Sequence, residues 1–512
     1  MNAWLIAPVI LPAITAALIL MFMRHRLTLS RVSAIAVCLA LVGFGAALLG
    51  HAATGQVESY ALGNWIAPFG IVLVLDRLSA LMILLTSVLA LIVLIYAIVT
   101  GLDRRGWHFH PLFQFQLLGL NGAFLTGDLF NLFVFFEVLL IASYGLMLHG
   151  QGAARLKAGV QYVIINLVGS TLFLVAIGIL YGVTGTLNMA DMAGRIAEAP
   201  AGDQALIKTG GLLLISVFAL KAALVPMHFW LPRTYAMTSA AMAALFGIMT
   251  KVGTYSIIRT TTLMFGSDAQ ASAWAPAEWM LPASLVTIIL GYVGVMGAKG
   301  LRDLVAFAVL GSMGTLLAAV AVFQPDAMGA AIYYVIHSTL AGAALFLIAD
   351  LIASRRGDHG DALSPGPRFA DVEKLSALFF LGAIAMVGLP PLSGFIGKLL
   401  ILDGVRDAMG GYVIWAVILI TSVLGLLGFA RAGSGIFWKS AAVDGFSNAR
   451  AQPGGTLAIA VAASFIAFLA LSVVLAGPLV DYANATATQL FAPQAYIEAV
   501  LPFGVSPEEA AR

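Results

Sequence analysis

Windows of about 20 apolar residues, the length needed to cross a bilayer, recur from one end of the 512-residue chain to the other. In hydrocarbon each backbone N–H and C=O has to be satisfied within the protein, so such windows fold as helices. They fall near 3–23, 30–51, 77–100, 110–127, 129–148, 158–181, 208–231, 242–262, 278–298, 304–323, 328–352, 376–403, 411–431 and 456–477. An all-α polytopic membrane protein of about 14 transmembrane helices is therefore expected. The first window carries Arg24 and Arg26 after its apolar run. A secretory signal has its charges before the run, so this one reads as a retained span. Composition agrees: 10% of residues are charged and 61% hydrophobic, against roughly 25% charged in soluble domains.

Charge tests the span count separately, because lysine and arginine accumulate in cytoplasmic loops. The loops after odd-numbered spans hold 17 of the 26 basic residues, from Arg24, Arg26 and Arg31 after the first span to Arg431, Lys439 and Arg450 after the thirteenth. The alternate loops and the C-terminal tail hold six: Arg77, Arg195, Lys208, Arg259, Arg406 and Arg512. This alternation predicts both termini outside. With a net charge of +2 and its basic residues on one side, the chain is not expected to bind nucleic acid. Cys38 is the only cysteine, and no phosphate or dinucleotide loop is present. Neither a metal centre nor a cofactor is expected.

The three remaining basic residues, Lys221, Lys251 and Lys398, lie inside spans. A lysine at the centre of a membrane helix costs about 2.5 kcal/mol or more, so it marks a functional candidate. Lys221 lies in SVFALKAALVPMHFWLP, five residues before Pro226, which breaks span 7 and frees the carbonyl of Ala222. Span 12 breaks at Gly388-Leu389-Pro390-Pro391, with Lys398 two turns further on. Paired proline-interrupted segments are the sequence pointer to a transporter's ion site. They divide the chain into a three-helix segment (1–100), spans 4–8 (101–262), spans 9–13 (263–431), and a last helix with its tail (432–512). Five spans is an odd number, so spans 4–8 and 9–13 form two inverted five-helix repeats with helices 7 and 12 broken.

Glu137 sits mid-span in GDLFNLFVFFEVLLIASYGLML, and Lys221 is its expected partner. The pair serves either a proton relay or a structural lock between two helices. Lys251 near the centre of span 8, His337 in YYVIHSTLAGAALF, and Lys398 extend the candidate relay. Buried lysines and a near-neutral histidine take up and release protons as neighbouring charges change. Lys398 has the reach to extend outward instead, and His337 also reads as a hydrogen-bonded packing residue. Two further groups are accessory candidates. His228 is either a proton group or a cap for freed carbonyls, and Asp128 either serves transport or caps the start of span 5.

The stretches NGAFLTGDLFNLFVFFEVLLIASYGLML, KAALVPMHFWLP, TKVGTYSIIR and GLPPLSGFIGKLLIL together resemble the D subunit of Mrp-type multisubunit monovalent cation/proton antiporters, also called Mnh or Pha. More broadly the chain is similar to the antiporter-like proton-pumping subunits of complex I and membrane-bound hydrogenases. The resemblance implies fourteen helices with inverted repeats, a bacterial plasma membrane, lipid, and partner subunits of the same complex. It implies that Glu137 modulates the charge of Lys221, that Lys251 is the central lysine, and that Lys398 ends the half-channel. His337 matches a span 11 histidine, but Ala341 stands where many relatives have a lysine. The resulting reading is a transporter subunit, not an enzyme, in which H+ flow through a buried relay drives Na+ or K+ efflux. Two alternatives share the same charged residues: a proton-pumping subunit of a redox complex and a non-transporting structural subunit. The tail from Asp481 is assigned no function.

Overall fold

Each apolar run becomes a helix, and several of these begin or end at a cap or a break. The computed structural model describes residues 3–447 and 454–501; Arg450 and Arg512, counted above, lie outside them. The helices run in the order α1 (Ala7–Leu18), α2 (Leu27–Ala52), α3 (Arg77–Val99), α4 (Phe109–Leu125), α5 (Leu129–Leu148), α6 (Ala153–Thr184), α7 (Met189–Ala197), α8 (Gln204–Lys221), α9 (Trp230–Met237) and α10 (Ala240–Leu263). The second half continues with α11 (Ala277–Gly297), α12 (Leu301–Val320), α13 (Pro325–Arg355), α14 (Val372–Val387), α15 (Ser393–Gly404), α16 (Gly411–Gly433), α17 (Gly455–Val474), α18 (Ala476–Phe491) and α19 (Gln494–Val500). Between α2 and α3 lies an antiparallel hairpin, β1 (Glu58–Ala61) with β2 (Val72–Leu75), in which Glu58 is opposite Leu75. Caps are local: Asp76 and Ser79 form a reciprocal capping box at the start of α3, and Gly185 in the left-handed region ends α6.

Among the described residues, twelve helices are long and apolar enough to cross a membrane. Helices also stand in the two other expected intervals: the 17-residue α4, and α14 with α15, which are separated by the break. The chain is a multi-pass, all-α membrane protein. α10, α12 and α13 are buried along nearly their whole length, whereas α1, α2, α6, α16 and α17 are mostly uncovered. Side chains on these outer helices, among them Ile14, Leu18, Leu39, Ile164, Leu167 and Ile420, are exposed and apolar. Such a continuous apolar surface is compatible with hydrocarbon or a neighbouring chain, not with water.

Two backbone features occur once in each half. Leu129 N donates to Leu187 O (2.9 Å) and Met189 N to Gly127 O (2.9 Å); likewise Leu301 N donates to Asp361 O (2.7 Å) and Leu363 N to Lys299 O (2.9 Å). At the helix breaks, Ala223 (φ 58°) and Gly388 (φ 86°) both adopt left-handed backbone. The following leucine then donates to the carbonyl five residues back, Leu224 to Ala219 (2.9 Å) and Leu389 to Ile384 (3.0 Å).

One assignment is corrected. Arg259, counted with a loop, lies within α10 and is 4% exposed. It forms an ion pair with Asp76 at 2.6 Å. A second buried cluster joins Arg31, Asp103 and His110, with Asp103 accepting from Arg31 at 2.6 and 2.8 Å and lying 3.1 Å from His110. The apolar windows do not anticipate the hairpin, α7, α18 or α19. The tail is stitched to the connection before α3. Tyr482 donates to Arg77 O (2.8 Å), Gln489 Oε1 accepts from Arg77 N (3.1 Å), and Gln489 Nε2 donates to Gly55 O (3.1 Å).

Candidate functional site

α8 ends at Lys221, and two backbone groups at the break are taken up by side chains. Trp230 Nε1 donates to Leu220 O (3.0 Å), and Val225 N donates to Thr287 Oγ1 on α11 (3.0 Å). The break packs closely on α10: a Cβ on Gly253 would lie 2.6 Å from Ala222 N and 2.8 Å from Phe218 O. Pro226 sits between the helical pieces, as expected, and His228 lies against the backbone of Pro226 at the break. Its Nδ1 is buried without a partner, and the ring lines a cavity of about 610 Å³ together with Arg233, Lys299 and Asp303.

Lys221 is 5% exposed. Its Nζ donates to Asn166 Oδ1 at 2.9 Å and lies 5.9 Å from the centre of the Phe136 ring. Asn166 in turn donates through Nδ2 to Tyr162 O (2.8 Å), which turns its amide oxygen toward the ammonium. Glu137 is half-buried and accepts from Ser170 Oγ. Glu137 and Lys221 do not close an ion pair but act on each other electrostatically. Asn166 and Ser170, one turn apart on α6, each hold one of the two charged groups.

Lys251 is 1% exposed, and among the described residues its side chain makes no hydrogen bond. It lines a cavity of about 10 Å³ with Thr254, Tyr255, Ile332 and Val335, between α10 and α13. A space of this size is about that of one water molecule. Further along α13, His337 Nδ1 lies 3.0 Å from Ser393 Oγ at the start of α15. Lys398 does not reach outward. It folds back to the break, donating to Val387 O (2.7 Å) and Ser422 Oγ (2.8 Å), with Tyr292 OH at 3.5 Å. With Gly388, Leu389, Pro390 and Phe395 it lines a mainly apolar cavity of about 300 Å³; Pro391 lies within the same interruption. Ala341, one turn beyond His337, is fully buried.

Asp128 is an N-cap. It accepts from Asn131 N at 2.7 Å, and burial pushes its carboxyl above the ordinary range despite that bond. Asn166, Ser170, Tyr292, Ser393 and Ser422 hold the candidate groups, yet the sequence by itself singles out none of them. Only Asn166, an amide within the apolar run IINLVGS, carries a visible signal.

Helices in membrane-spanning number, two of them broken beside buried ammonium groups, define a membrane protein of the ion-transport class. Residues 126–425 match the family described as NADH:quinone oxidoreductase/Mrp antiporter, TM. The chain belongs to this family. It is 39% identical to the D subunit of a probable K(+)/H(+) antiporter of Rhizobium meliloti, over 98% of both chains. It is 36% identical to the D subunit of the Na(+)/H(+) antiporter of Bacillus subtilis, over 98% of this chain and all of that one. Among solved structures, a chain of the Mrp complex from Dietzia sp. DQ12-45-1b superposes with a TM-score of 0.87 at 29% identity, covering 98% of this chain and 100% of that one. A chain of respiratory complex I from Thermus thermophilus shares the fold, with a TM-score of 0.77 at 24% identity over 95% of this chain and 99% of that one.

Proposed function

We propose that this chain is the proton-translocating D-type subunit of a multisubunit Na+(K+)/H+ antiporter in a bacterial plasma membrane, working alongside other subunits of that complex. The coarser statement, a cation/proton antiporter subunit, follows from its relatives. Fourteen crossings in two inverted repeats are supported by the matched backbone bridges and the matched left-handed breaks of the two halves. The loop asymmetry, 17 to 5 once Arg259 is counted with the core, supports termini on the outside.

The observation that carries the mechanism is a contrast within the molecule. Arg259 and Arg31 are locked by the carboxylates of Asp76 and Asp103. Lys221, Lys398 and His337 are instead held by neutral oxygens, and Lys251 has no protein partner among the described residues. A buried carboxylate would hold a lysine charged, whereas amide, hydroxyl and carbonyl groups leave it able to exchange its proton. In the proposed cycle, protonation of Glu137 alters its bond to Ser170 and, one turn away, the Asn166–Lys221 contact. The proton of Lys221 then passes through water to Lys251, His337 and Lys398.

The test is proton-coupled Na+ and K+ transport in everted vesicles containing the whole operon, with native gels run alongside. Lys221→Ala and Glu137→Gln are expected to abolish or strongly reduce exchange while the complex stays assembled. Unchanged exchange removes both residues from the mechanism, and loss of the complex itself favours a structural role.

A further inference from the structure

A second polar site lies at the end of the bundle that carries the basic loops. A cavity of about 150 Å³ is lined by Arg105, Arg155 and Arg302, one from each of three such loops or helix starts, with Tyr96 and Asp350 opposite. Its floor is the first turn of α10: Ser239, Ala240 and Ala241 all line it. Ser239 is the N-cap of that 24-residue helix, yet its hydroxyl makes no capping bond. It is 9% exposed, and its Oγ is buried without any partner. The amides of Ala240 and Ala241, at 3% and 2% exposure, belong to the turn whose N–H groups have no intrahelical acceptor.

The charges at this cavity do not balance. Both oxygens of Asp350 are engaged, Oδ1 by Arg302 Nη2 (2.7 Å) and Oδ2 by Tyr96 OH (3.1 Å), and this one carboxylate acts at longer range on Arg155 as well, against three guanidinium groups. Arg302 Nε is buried without a partner. Arg155 is anchored through Nε to Met237 O (3.2 Å) and through Nη1 to His149 O, which leaves Nη2 uncommitted. Among the described residues, no carboxylate lies within ion-pairing distance of Arg105 or Arg155. Two unmatched guanidinium groups, a helix N-terminus and an unused hydroxyl therefore converge on one space. Each favours an oxyanion: the guanidinium fork fits a phosphate bidentately, and first-turn amides with the helix dipole favour negative charge.

We infer that this cavity binds a tetrahedral oxyanion of the phosphate class, either free phosphate or the headgroup of an anionic phospholipid. The site is separate from the buried lysines, and the inference does not rest on the proposed relay. Its test uses the purified full chain with its co-purifying subunits, in nanodiscs of phosphatidylcholine, and measures equilibrium binding of radiolabelled inorganic phosphate with sulfate as competitor. Saturable binding is expected. Loss of one charge-assisted contact predicts roughly tenfold weaker binding in Arg105→Gln, with Ser239→Ala several-fold weaker and Arg105→Lys between the two. Arg104→Gln, whose residue is exposed like Arg105 but does not line the cavity, is expected to bind as the unaltered protein does.

Repeating the measurement in discs that contain phosphatidylglycerol identifies the source. If the headgroup is the ligand, phosphate binding disappears in these discs, and phosphatidylglycerol co-purifies with the unaltered protein but not with Arg105→Gln. If free phosphate is the ligand, binding is the same in both discs. Absence of saturable phosphate binding together with absence of Arg105-dependent lipid retention overturns the inference. So does binding that is indifferent to both Arg105→Gln and Ser239→Ala.

Discussion

At the scale of single residues, the structure separates charges paired with carboxylates from those held by neutral oxygens, and the proposed function assigns proton exchange to the second group. Asn166 is the informative case, because it stands where a carboxylate partner for Lys221 was expected. Replacing it by leucine leaves a buried ammonium without its acceptor, a loss of about 1.5–3 kcal/mol. Asn166→Leu is therefore expected to lower exchange in everted vesicles at least about tenfold, whereas Asn166→Asp, which fixes the charge, should slow turnover in a more stable complex. Asp76→Asn should behave oppositely to Lys221→Ala. It strands Arg259 in the interior at a cost of about 3–5 kcal/mol, so thermal stability and assembly fall while exchange per assembled complex is retained. Equal loss of specific exchange in both variants would refute the distinction between locked and exchangeable charges.

The first broken helix depends on contacts made well outside it. Its backbone is completed by the indole of Trp230 and the hydroxyl of Thr287, and its close approach to α10 requires a glycine at position 253. Gly253→Ala places a methyl group against the backbone of Ala222 and Lys221, a crowding worth about 1–3 kcal/mol. The expected result is a lower unfolding midpoint and reduced exchange, because the lysine shifts with the break. Trp230→Phe keeps most of the ring packing but leaves Leu220 O without the indole donor. A similar fall in the unfolding midpoint, measured in detergent, is expected; no change would mean that water replaces the indole fully.

For the whole molecule, the buried clusters at its two ends link stability to pH. Burial alone would push the Asp76 carboxyl up, but Arg259 and Ser79 outweigh it and hold it below the ordinary range. Asp103 is likewise pushed up by burial and held below that range by His110 and Arg31. A carboxyl depressed in the folded state stabilises the fold above its unfolded value, near 4, and that contribution is lost as pH falls through the folded value. The unfolding midpoint should thus lose this contribution only below about pH 4, and Asp103→Asn should flatten that part of the acid slope. The apolar windows, the two breaks, the three buried lysines and His337 were legible in the sequence, because the bilayer's length requirement, proline's missing donor and the cost of a buried charge are local properties, whereas the buried Asp76, Asp103 and Arg259 were not. The sequence did not reveal which way each group faces. A helix apolar all round carries no periodicity to fix its rotation, and the deciding partners are remote: Asn166 is 55 residues from Lys221, Ser393 is 56 from His337, and Tyr292 is 106 from Lys398. Tertiary packing alone set Asn166 against Lys221 and Ser170 against Glu137, turned Lys398 back to its break, and drew Arg259 into the core.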